Sequence, residues 1–255
     1  MRRLVALLTD FGTDDPYAGQ TAAVVAAATD ARIISLTHGV PAHHVSLGAC
    51  IVDASLELLP PGSVLLAVVD PGVGTARRGL IVRRDGRWLV GPDNGLLTPT
   101  QGDIECWCVD RPEAWRDSVA PTFHARDIFA PVAARLANYE RPDWLGSLVQ
   151  DPVRVDRPSA CIDGPKIRGE VIHVDAFGNL ITNIRAELVQ TAHMLQAQVG
   201  DARIRGLATT YGTGREPVAL IGSWNLLEIA VPGGSAAQRL GYRIGDAVTV
   251  ERADA

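Results

Sequence analysis

The sequence predicts an α/β N-terminal domain with a mostly parallel sheet, plus a smaller all-β, barrel-like C-terminal domain. In the first half, short apolar strand segments alternate with Ala- and Val-rich helical segments, which is typical of a parallel sheet covered by helices. Beyond Pro165 the pattern changes to short strands separated by turns, which is typical of a sandwich or small barrel. We therefore expect domains over residues 1–150 and 166–255, joined by a linker over residues 151–165.

The first half contains the segments of the predicted sheet in alternating order. Strands are expected at Leu4–Leu8, Ile33–Leu36, Val64–Val69 and Cys106–Val109, and helices at Gln20–Ala28 and Val45–Leu58. The stretch Phe123–Pro131 leads into a third helix, which has Pro131 near its first turn and ends at about Tyr139. Two further strands are expected at Leu80–Arg83 and Trp88–Val90. The Asp-Gly pair between these two strands is a hairpin signal, so the sheet should also contain an antiparallel pair.

The composition of the chain before the second half is typical of a linker. From Asn138 to Pro165 the chain has little periodicity and contains four prolines after Tyr139. Strands are then expected at Gly169–Val174, Leu180–Ile184, Val218–Ile221, Leu226–Val231 and Ala247–Val250. These short strands define the predicted all-β domain.

The composition excludes several classes of function. The net charge is -5 and the basic residues are scattered, so we expect no nucleic-acid partner. The four cysteines lack CxxC spacing and are interpreted as reduced core thiols. The apolar run Leu4–Leu8 is too short for a signal peptide, and no run approaches membrane-spanning length. We therefore expect a cytoplasmic protein with no membrane association.

The stretch from Val68 to Arg78 is the main functional candidate. The apolar run Val64–Val69 ends at Asp70, which is typical of a strand buried on both faces that ends at a crevice. Arg77 follows seven residues later, far enough for the intervening glycine-containing loop to pair it with Asp70. A turn with a solvated ion pair is the alternative interpretation.

Asp10 follows the first strand and should therefore open into the same crevice as Asp70. A carboxylate in that place can accept both hydroxyls of a ribose, although an aspartate that caps the next helix is an equally ordinary structure. The chain has neither a GxGxxG motif nor a Walker lysine motif, which counts against a conventional dinucleotide or triphosphate site.

The histidines are the next candidates. His38, His43 and His44 are residue types that bind metals together with carboxylates such as Asp14, but no strong ligand motif is present and we expect no metal or other cofactor. His124 lies in a loop entering a helix, where it can orient and polarise a water molecule beside an aspartate and an arginine. A histidine that packs at the start of the helix is the alternative.

The second domain offers polar turns of its own. Asp175 and Asn179 lie across a glycine turn and can bind the ammonium or carboxylate group of an amino acid, or can simply stabilise a hairpin. Ser223 and Trp224 form another turn, in which the tryptophan can stack on a base or pack in the core. Ala236 follows a third turn, Gly233–Ser235.

Five motifs in sequence order together resemble the S-adenosylmethionine hydroxide adenosyltransferase family, whose members form adenosine and which is related to fluorinating and chlorinating enzymes. The motifs are Thr9-Asp10-Phe11-Gly12, Val69-Asp70-Pro71-Gly72-Val73-Gly74, Gly91-Pro92-Asp93-Asn94-Gly95, His124-Ala125-Arg126-Asp127-Ile128-Phe129-Ala130-Pro131 and Phe177-Gly178-Asn179-Leu180-Ile181-Thr182-Asn183-Ile184. Each is weak alone, but the series covers almost the whole chain.

The resemblance implies specific roles and an assembly. Asp70, Arg77 and His124 match the catalytic set, and Asp10 matches the ribose-binding aspartate. Asp175 and Asn179 match residues that hold the methionine part, and Ser223 falls in the adenine-contacting turn, whereas Trp224 and Ala236 lie where the family varies. The family further implies a homotrimer with sites between one subunit's N-terminal domain and its neighbour's C-terminal domain, and no cofactor.

The expected activity is hydrolysis of S-adenosyl-L-methionine to adenosine and L-methionine. Halogenating relatives carry tyrosine where Asp70 stands, and a charged Asp70 would repel a halide, so hydrolysis is favoured over halogenation. The alternatives are a metal-dependent phosphatase or nucleotidase and a non-catalytic protein that binds S-adenosylmethionine or a nucleoside.

Overall fold

The computed structural model describes residues 3–100, 102–189 and 194–253. The chain divides into two compact units, Met1–Asp156 (unit 1) and Arg157–Ala255 (unit 2). The boundaries expected from the sequence, with a linker over residues 151–165, stay a prediction. Within unit 1, Val153 N–H donates to Asp93 and Arg154 donates to two backbone carbonyls, so the chain packs on unit 1 as far as these residues.

Unit 1 is an α/β structure with a seven-stranded sheet. Its strands are β1 (Leu4–Thr9), β2 (Arg32–Thr37), β3 (Val64–Val68), β4 (Gly79–Arg84), β5 (Arg87–Pro92), β6 (Glu105–Cys108) and β7 (Ser147–Leu148). Its α-helices are α1 (Tyr17–Ala28), α2 (Val45–Leu56) and α3 (Ala130–Ala137). Short 3-10 turns occur at Pro112–Ala114 and Pro142–Trp144, and a π-helical turn, Ala125–Phe129, precedes α3.

The sheet is mixed, and the expectation of a mostly parallel sheet holds only for its first part. The strand order is β2-β1-β3-β5-β4-β6-β7. Strands β2, β1, β3 and β5 pair in parallel, but β4 pairs antiparallel with both β5 and β6, and β6 pairs antiparallel with β7. Strand β4 therefore runs against β1, β2 and β3, and the hairpin at Asp85-Gly86 returns the chain to their direction in β5.

The apolar run of β3 is continuous because both of its faces are buried. Val64, Leu66 and Val68 belong to a core cluster that includes residues of α1 and α3. Leu65, Ala67 and Val69 belong to a second cluster that includes residues of α2. Strand β3 thus lies in the middle layer of unit 1, and the residue after Val69 is where the buried strand ends.

Unit 2 is an antiparallel, nearly closed, barrel-like sheet, as predicted. Its strands are β8 (Cys161–Asp163), β9 (Lys166–Val174), β10 (Leu180–Arg185), β11 (Met194–Val199), β12 (Ala202–Arg205), β13 (Val218–Ile221), β14 (Leu226–Ala230) and β15 (Ala247–Ala253). The order is β12-β11-β15-β9-β10-β14-β13, with β8 paired to β9. A backbone bridge from Ala208, just beyond β12, to Leu220 of β13 brings the two edges together. Two short helices, α4 (Ala186–Val189) and α5 (Ala236–Leu240), complete the unit.

The cysteines differ in part from expectation. All four lie in the described part of the chain, and no disulfide joins any of them. Cys106 is buried, but Cys161 is exposed in β8, so the interpretation as core thiols is wrong for this residue. Among the described strands, β8 pairs with β9 alone, and all three of its residues are exposed. Among the described helices none has the length and apolar character needed to cross a membrane.

Candidate active site

Asp70 lies just beyond the carboxyl end of β3, where a tight turn reverses the chain. Val73 N–H donates to the Asp70 carbonyl and Thr75 N–H donates to the Gly72 carbonyl, at 3.3 and 3.2 Å. Gly74 has φ +77°, and a Cβ atom there would lie 2.7 Å from the carbonyl oxygen of Pro121. Only glycine fits both the backbone conformation and this close approach. The loop therefore returns Arg77 toward Asp70 while it packs on the segment before His124.

The Arg77 guanidinium forks onto the Asp70 carboxylate. Its Nε atom lies 3.0 Å from each carboxylate oxygen, and its Nη2 atom donates to Oδ2. Both side chains are largely buried, with 12% and 5% of their surfaces exposed. The guanidinium carbon also lies 5.2 Å from the centre of the Phe129 ring, a cation–π distance. The predicted pair is thus buried rather than the solvated ion pair of the alternative interpretation.

His124 joins this pair through Arg77. The Arg77 Nη2 atom lies 3.0 Å from His124 Nδ1. A guanidinium has only donors, so Nδ1 must accept and the proton of the neutral ring is on Nε2. Burial lowers the pKa of His124, and the charge of Arg77 lowers it further, against the opposing charges of Asp70 and Asp127. One arginine therefore holds a carboxylate and a neutral imidazole in a single cluster.

Asp10 lies at the same edge of the sheet as Asp70, because β1 and β3 pair in parallel with Thr9 opposite Val68. The Asp10 carboxylate accepts a hydrogen bond from His43 N–H at 2.9 Å. The strand end before it is fixed by Thr9, whose buried hydroxyl bonds His38 Nδ1 at 2.8 Å. This carboxylate does not cap α1, whose N-cap is Pro16 and has no side-chain cap.

His38 and His44 have structural partners. His38 Nε2 bonds the Ser35 hydroxyl at 2.9 Å, and burial lowers the pKa of His38. His44 caps α2 through Nδ1, which accepts from Leu47 N–H. In residues 3–100, 102–189 and 194–253, no three His, Cys, Asp or Glu side chains are grouped as metal ligands would be. The expectation that no cofactor is needed stays a prediction.

In unit 2, Asp175 and Asn179 are joined across one turn. Asp175 Oδ1 accepts from the backbone N–H groups of Phe177 and Asn179, each at 2.9 Å. Asp175 Oδ2 accepts from the Asn179 side-chain amide at 3.0 Å. The hairpin-stabilising interpretation of this turn is therefore correct, and it also gives the two side chains a fixed arrangement.

The same turn packs on the start of α5, where Ala236 lies. Gly178 has φ +82°, and a Cβ atom there would come within 2.0 Å of the Ser235 hydroxyl. Ala237 N–H donates to the Gly178 carbonyl at 2.9 Å. The Ala236 side chain is fully buried in the core of unit 2, so only its backbone can reach a ligand.

Ser223 and Trp224 lie on the turn between β13 and β14. Ser223 is exposed and Trp224 is half-buried. The Trp224 ring stacks on His173, with centroids 5.5 Å apart and an interplanar angle of 12°. Burial lowers the pKa of His173, which lies in β9, the strand that Asp175 follows. One face of Trp224 is therefore already occupied by a neutral ring.

Sequence reasoning did not single out Glu228 and Tyr211 in unit 2. Glu228 lies in β14 with 5% of its surface exposed, and its carboxylate accepts from the Tyr211 hydroxyl at 2.9 Å. Burial raises the pKa of Glu228, and the nearby charge of Asp175 raises it further. The signal was present as a single charged residue inside the apolar segment Leu226–Val231.

Fold and site together define a two-unit protein whose mixed α/β unit carries a buried carboxylate–guanidinium–imidazole cluster at the end of its sheet. Family models of the SAM hydroxide adenosyltransferase N-terminal domain and C-terminal domain match residues 5–146 and 169–249. These two matches cover most of the chain, which therefore belongs to the SAM hydroxide adenosyltransferase family.

Individual relatives agree with this assignment. A protein of Thermus thermophilus named (R)-S-adenosyl-L-methionine hydrolase is 40% identical, over 95% of this chain and 97% of its own length. A protein of Salinispora tropica with the same name is 36% identical, over 96% and 97%. A crystal structure of a conserved protein from Thermotoga maritima has a TM-score of 0.90 and 32% identity, and covers 97% of this chain and 100% of that one.

Proposed function

We propose that this chain hydrolyses S-adenosyl-L-methionine to adenosine and L-methionine, with water attacking the ribose C5′ carbon. The observation that carries the proposal is the contact of Arg77 with both Asp70 and His124. Membership of the family and the names of the relatives support the same substrate. The two largely buried side chains of this cluster provide charge where a weak nucleophile such as water needs it.

The proton inventory of the cluster assigns the roles. Because His124 Nδ1 accepts from Arg77, the Nε2–H group can donate to a water molecule but cannot take its proton. Asp70 retains unused lone pairs beside its contacts with Arg77, so it is the group that accepts the proton. The charge of Arg77 favours the developing hydroxide. His124 thus orients the water, and Asp70 acts as the general base.

The reaction balances without a redox step. The O–C5′ bond forms as the C5′–S bond breaks. The electron pair of the C5′–S bond stays on sulfur, so methionine departs as a neutral thioether. One proton of the water passes to Asp70 and then to solvent. In-line approach depends on positioning, which the fixed cluster provides. A negative carboxylate at position 70 disfavours a halide in place of water.

The remaining site residues are proposed to bind the substrate. Asp10 is proposed to accept the ribose hydroxyls, and Asp175 and Asn179 to hold the methionine part. Ser223, Trp224 and Ala236 are proposed to face the adenine. The support in unit 2 is that Asp175 and Asn179 are rigidly joined and that their turn packs against the segment of Ala236.

We also propose a homotrimer in which each site forms between the N-terminal domain of one subunit and the C-terminal domain of its neighbour. The family resemblance supports this assembly. The division of the candidate residues between the two units is consistent with it, because the proposed catalytic residues lie in unit 1 and most of the proposed binding residues lie in unit 2.

The experiment is to incubate the purified chain with S-adenosyl-L-methionine and separate the products by chromatography. We expect adenosine and methionine in equal amounts. Turnover should persist after a chelator is added, and no halogenated nucleoside should form when chloride is present. Loss of turnover on chelation would instead favour a metal-dependent phosphatase or nucleotidase. Binding without products would favour a non-catalytic sensor.

A further inference from the structure

Asp127 is a buried carboxylate three residues after His124, and the mechanism above does not use it. Its side chain is fully buried. Oδ1 accepts from Arg116 Nη1 and Arg126 Nε, both at 2.7 Å. Oδ2 accepts from Arg126 Nη2 at 2.7 Å and from Ala120 N–H at 3.0 Å. Four donors from three parts of one segment therefore converge on this group.

The backbone of Asp127 closes the same segment. Asp127 N–H donates to the Phe123 carbonyl at 3.2 Å, and the Asp127 carbonyl accepts from Arg116 N–H at 2.9 Å. The carbonyl is free to do so because Pro131, four residues later, has no N–H group to donate to it. The missing helical bond coincides with the π-helical turn Ala125–Phe129 that starts directly after His124.

The segment held by Asp127 contacts the Asp70–Arg77 loop. Ala120, whose N–H is bound by Asp127, precedes Pro121, and the Pro121 carbonyl is the group that packs against Gly74. The Arg126 guanidinium, besides its two bonds to Asp127, lies 4.7 Å from the centre of the Phe123 ring. The side chain of Asp127 thus binds Ala120, which precedes Pro121–His124, and Arg126, which follows it.

We propose that Asp127 is a positioning residue, which holds His124 against Arg77 by closing the segment from Arg116 to Asp127. Its role in turnover rests on the proposed function, but its role in placing the imidazole does not. A purely stabilising ion pair is the competing explanation, and it predicts no particular effect on His124. A buried ion pair often adds little to the stability of a protein, so stabilisation alone is a weak explanation for the four hydrogen bonds of Asp127.

The test is Asp127→Asn, with the imidazole of His124 titrated by NMR in the free protein. Arg77 contacts His124, and the charges that act on its imidazole are those of Arg77, Asp70 and Asp127 itself. Removing the charge of Asp127 alone lowers the pKa of His124 slightly further, because that charge raises it in the native protein. Displacing His124 from Arg77 and from its buried place raises the pKa instead. The sign of the change therefore separates the two explanations.

We expect the pKa of His124 to rise toward its ordinary value and kcat to fall by about 10²-fold, the scale of a misplaced catalytic group, with KM little changed. The matched control is Asp143→Asn, which removes a carboxylate paired with Arg141 at an exposed site. This control should change neither quantity. An unchanged or lowered pKa, with kcat per folded molecule intact and only thermal stability reduced, would overturn the proposal.

A second variant covers the case in which Asp127→Asn does not fold. Arg116→Gln removes one donor whose side chain is already 46% exposed, so the unit should tolerate it. We expect a smaller rise in the pKa of His124 and a smaller fall in kcat. Absence of both changes in this variant would equally contradict the positional role. If the wild-type chain does not hydrolyse S-adenosyl-L-methionine, the proposed function fails, whereas the titration still decides the role of Asp127.

Discussion

Arg77 is the residue through which the candidate active site is assembled, because its Nη2 atom donates to both Asp70 and His124. A lysine cannot reproduce this arrangement, since an ammonium lacks the planar fork that bonds a carboxylate twice. The guanidinium also fixes the tautomer of the imidazole. The contacts of Arg77 with Asp70 and His124 thus place the proton of the neutral imidazole on Nε2.

The first prediction concerns Asp70→Ala and His124→Ala. Each should lower kcat by about 10²- to 10⁴-fold, the usual contribution of acid–base groups, and should change substrate affinity much less. Single-turnover rates and the Kd of S-adenosyl-L-methionine measure the two effects. Arg83→Lys, an exposed residue paired with Glu105, is the control. Wild-type turnover in both alanine variants would refute the proposed roles.

The second prediction concerns pH. Burial lowers the pKa of His124 below its ordinary value of 6.5, so the neutral form that accepts from Arg77 persists below that pH. Between the lowered pKa and 6.5 the unfolded chain binds a proton at this residue and the folded chain does not. The free energy of unfolding should therefore fall as the pH falls through this range.

Thermal denaturation at several pH values measures this effect. In His124→Gln the contribution of the imidazole is absent, so the loss of stability on acidification should be shallower than in the wild-type chain. His38 and His173 have lowered pKa values for the same reason, burial, and should leave a residual slope. An identical slope in both proteins would contradict the assignment.

At the scale of elements, β3 leads directly to Asp70 and is packed closely against β5. A Cβ atom at Gly91 of β5 would lie 2.0 Å from the Ala67 carbonyl oxygen of β3. The third prediction is that Gly91→Ala lowers the free energy of unfolding by about 1–3 kcal/mol, the usual cost of overpacking. Denaturant unfolding measures the change.

The matched control has the opposite expected sign. Gly19 lies exposed inside α1, and nothing lies within 4 Å of a Cβ atom built there. Gly19→Ala should stabilise the chain by about 0.5–1 kcal/mol, because alanine loses less conformational freedom in a helix. Equal effects of the two substitutions would show that the close approach at Gly91 has no cost.

Elements with a local cause were predictable from the sequence, and elements with a distant cause were not. The continuous apolar run of β3 and the Asp-Gly hairpin follow from burial and turn chemistry. The π-helical turn after His124 was not predicted, because only a stretch leading into a helix was expected there and the turn depends on Pro131 and on the distant donor Arg116. Strands β11 and β12 were missed although apolar and polar residues alternate in both, because each strand is short and β12 contains a single large apolar residue.

The same distinction holds within the site. The spacing of Asp70 and Arg77 predicted their pairing, because both lie on one loop. The bond from Arg77 to His124 joins residues 47 positions apart and needs the fold. The family resemblance implied that His124 belongs with Asp70 and Arg77. The residues alone did not decide between a catalytic His124 and one that packs at the start of a helix. Glu228 was missed because one charged residue in an apolar segment has no distinctive pattern, whereas Asp127 stood in one of the five motifs but was given no role of its own.

At the scale of the whole molecule, the fourth prediction tests the shared site of the proposed trimer. Asp70→Ala alters unit 1 and Asp175→Ala alters unit 2. Each variant alone should have little activity, but their coexpression should restore turnover, because some sites would then combine two unaltered domains from different subunits. Sedimentation gives the mass of the assembly. Activity no greater than the sum of the separate variants would argue against shared sites.

The central claim is that water, held by the Asp70–Arg77–His124 cluster, attacks the ribose C5′ carbon. The most direct test is turnover of S-adenosyl-L-methionine in water enriched in oxygen-18, followed by mass spectrometry of the products. We predict that the heavy oxygen appears in the 5′-hydroxyl of adenosine and that methionine carries none. Unlabelled adenosine, or no adenosine at all, would contradict the account.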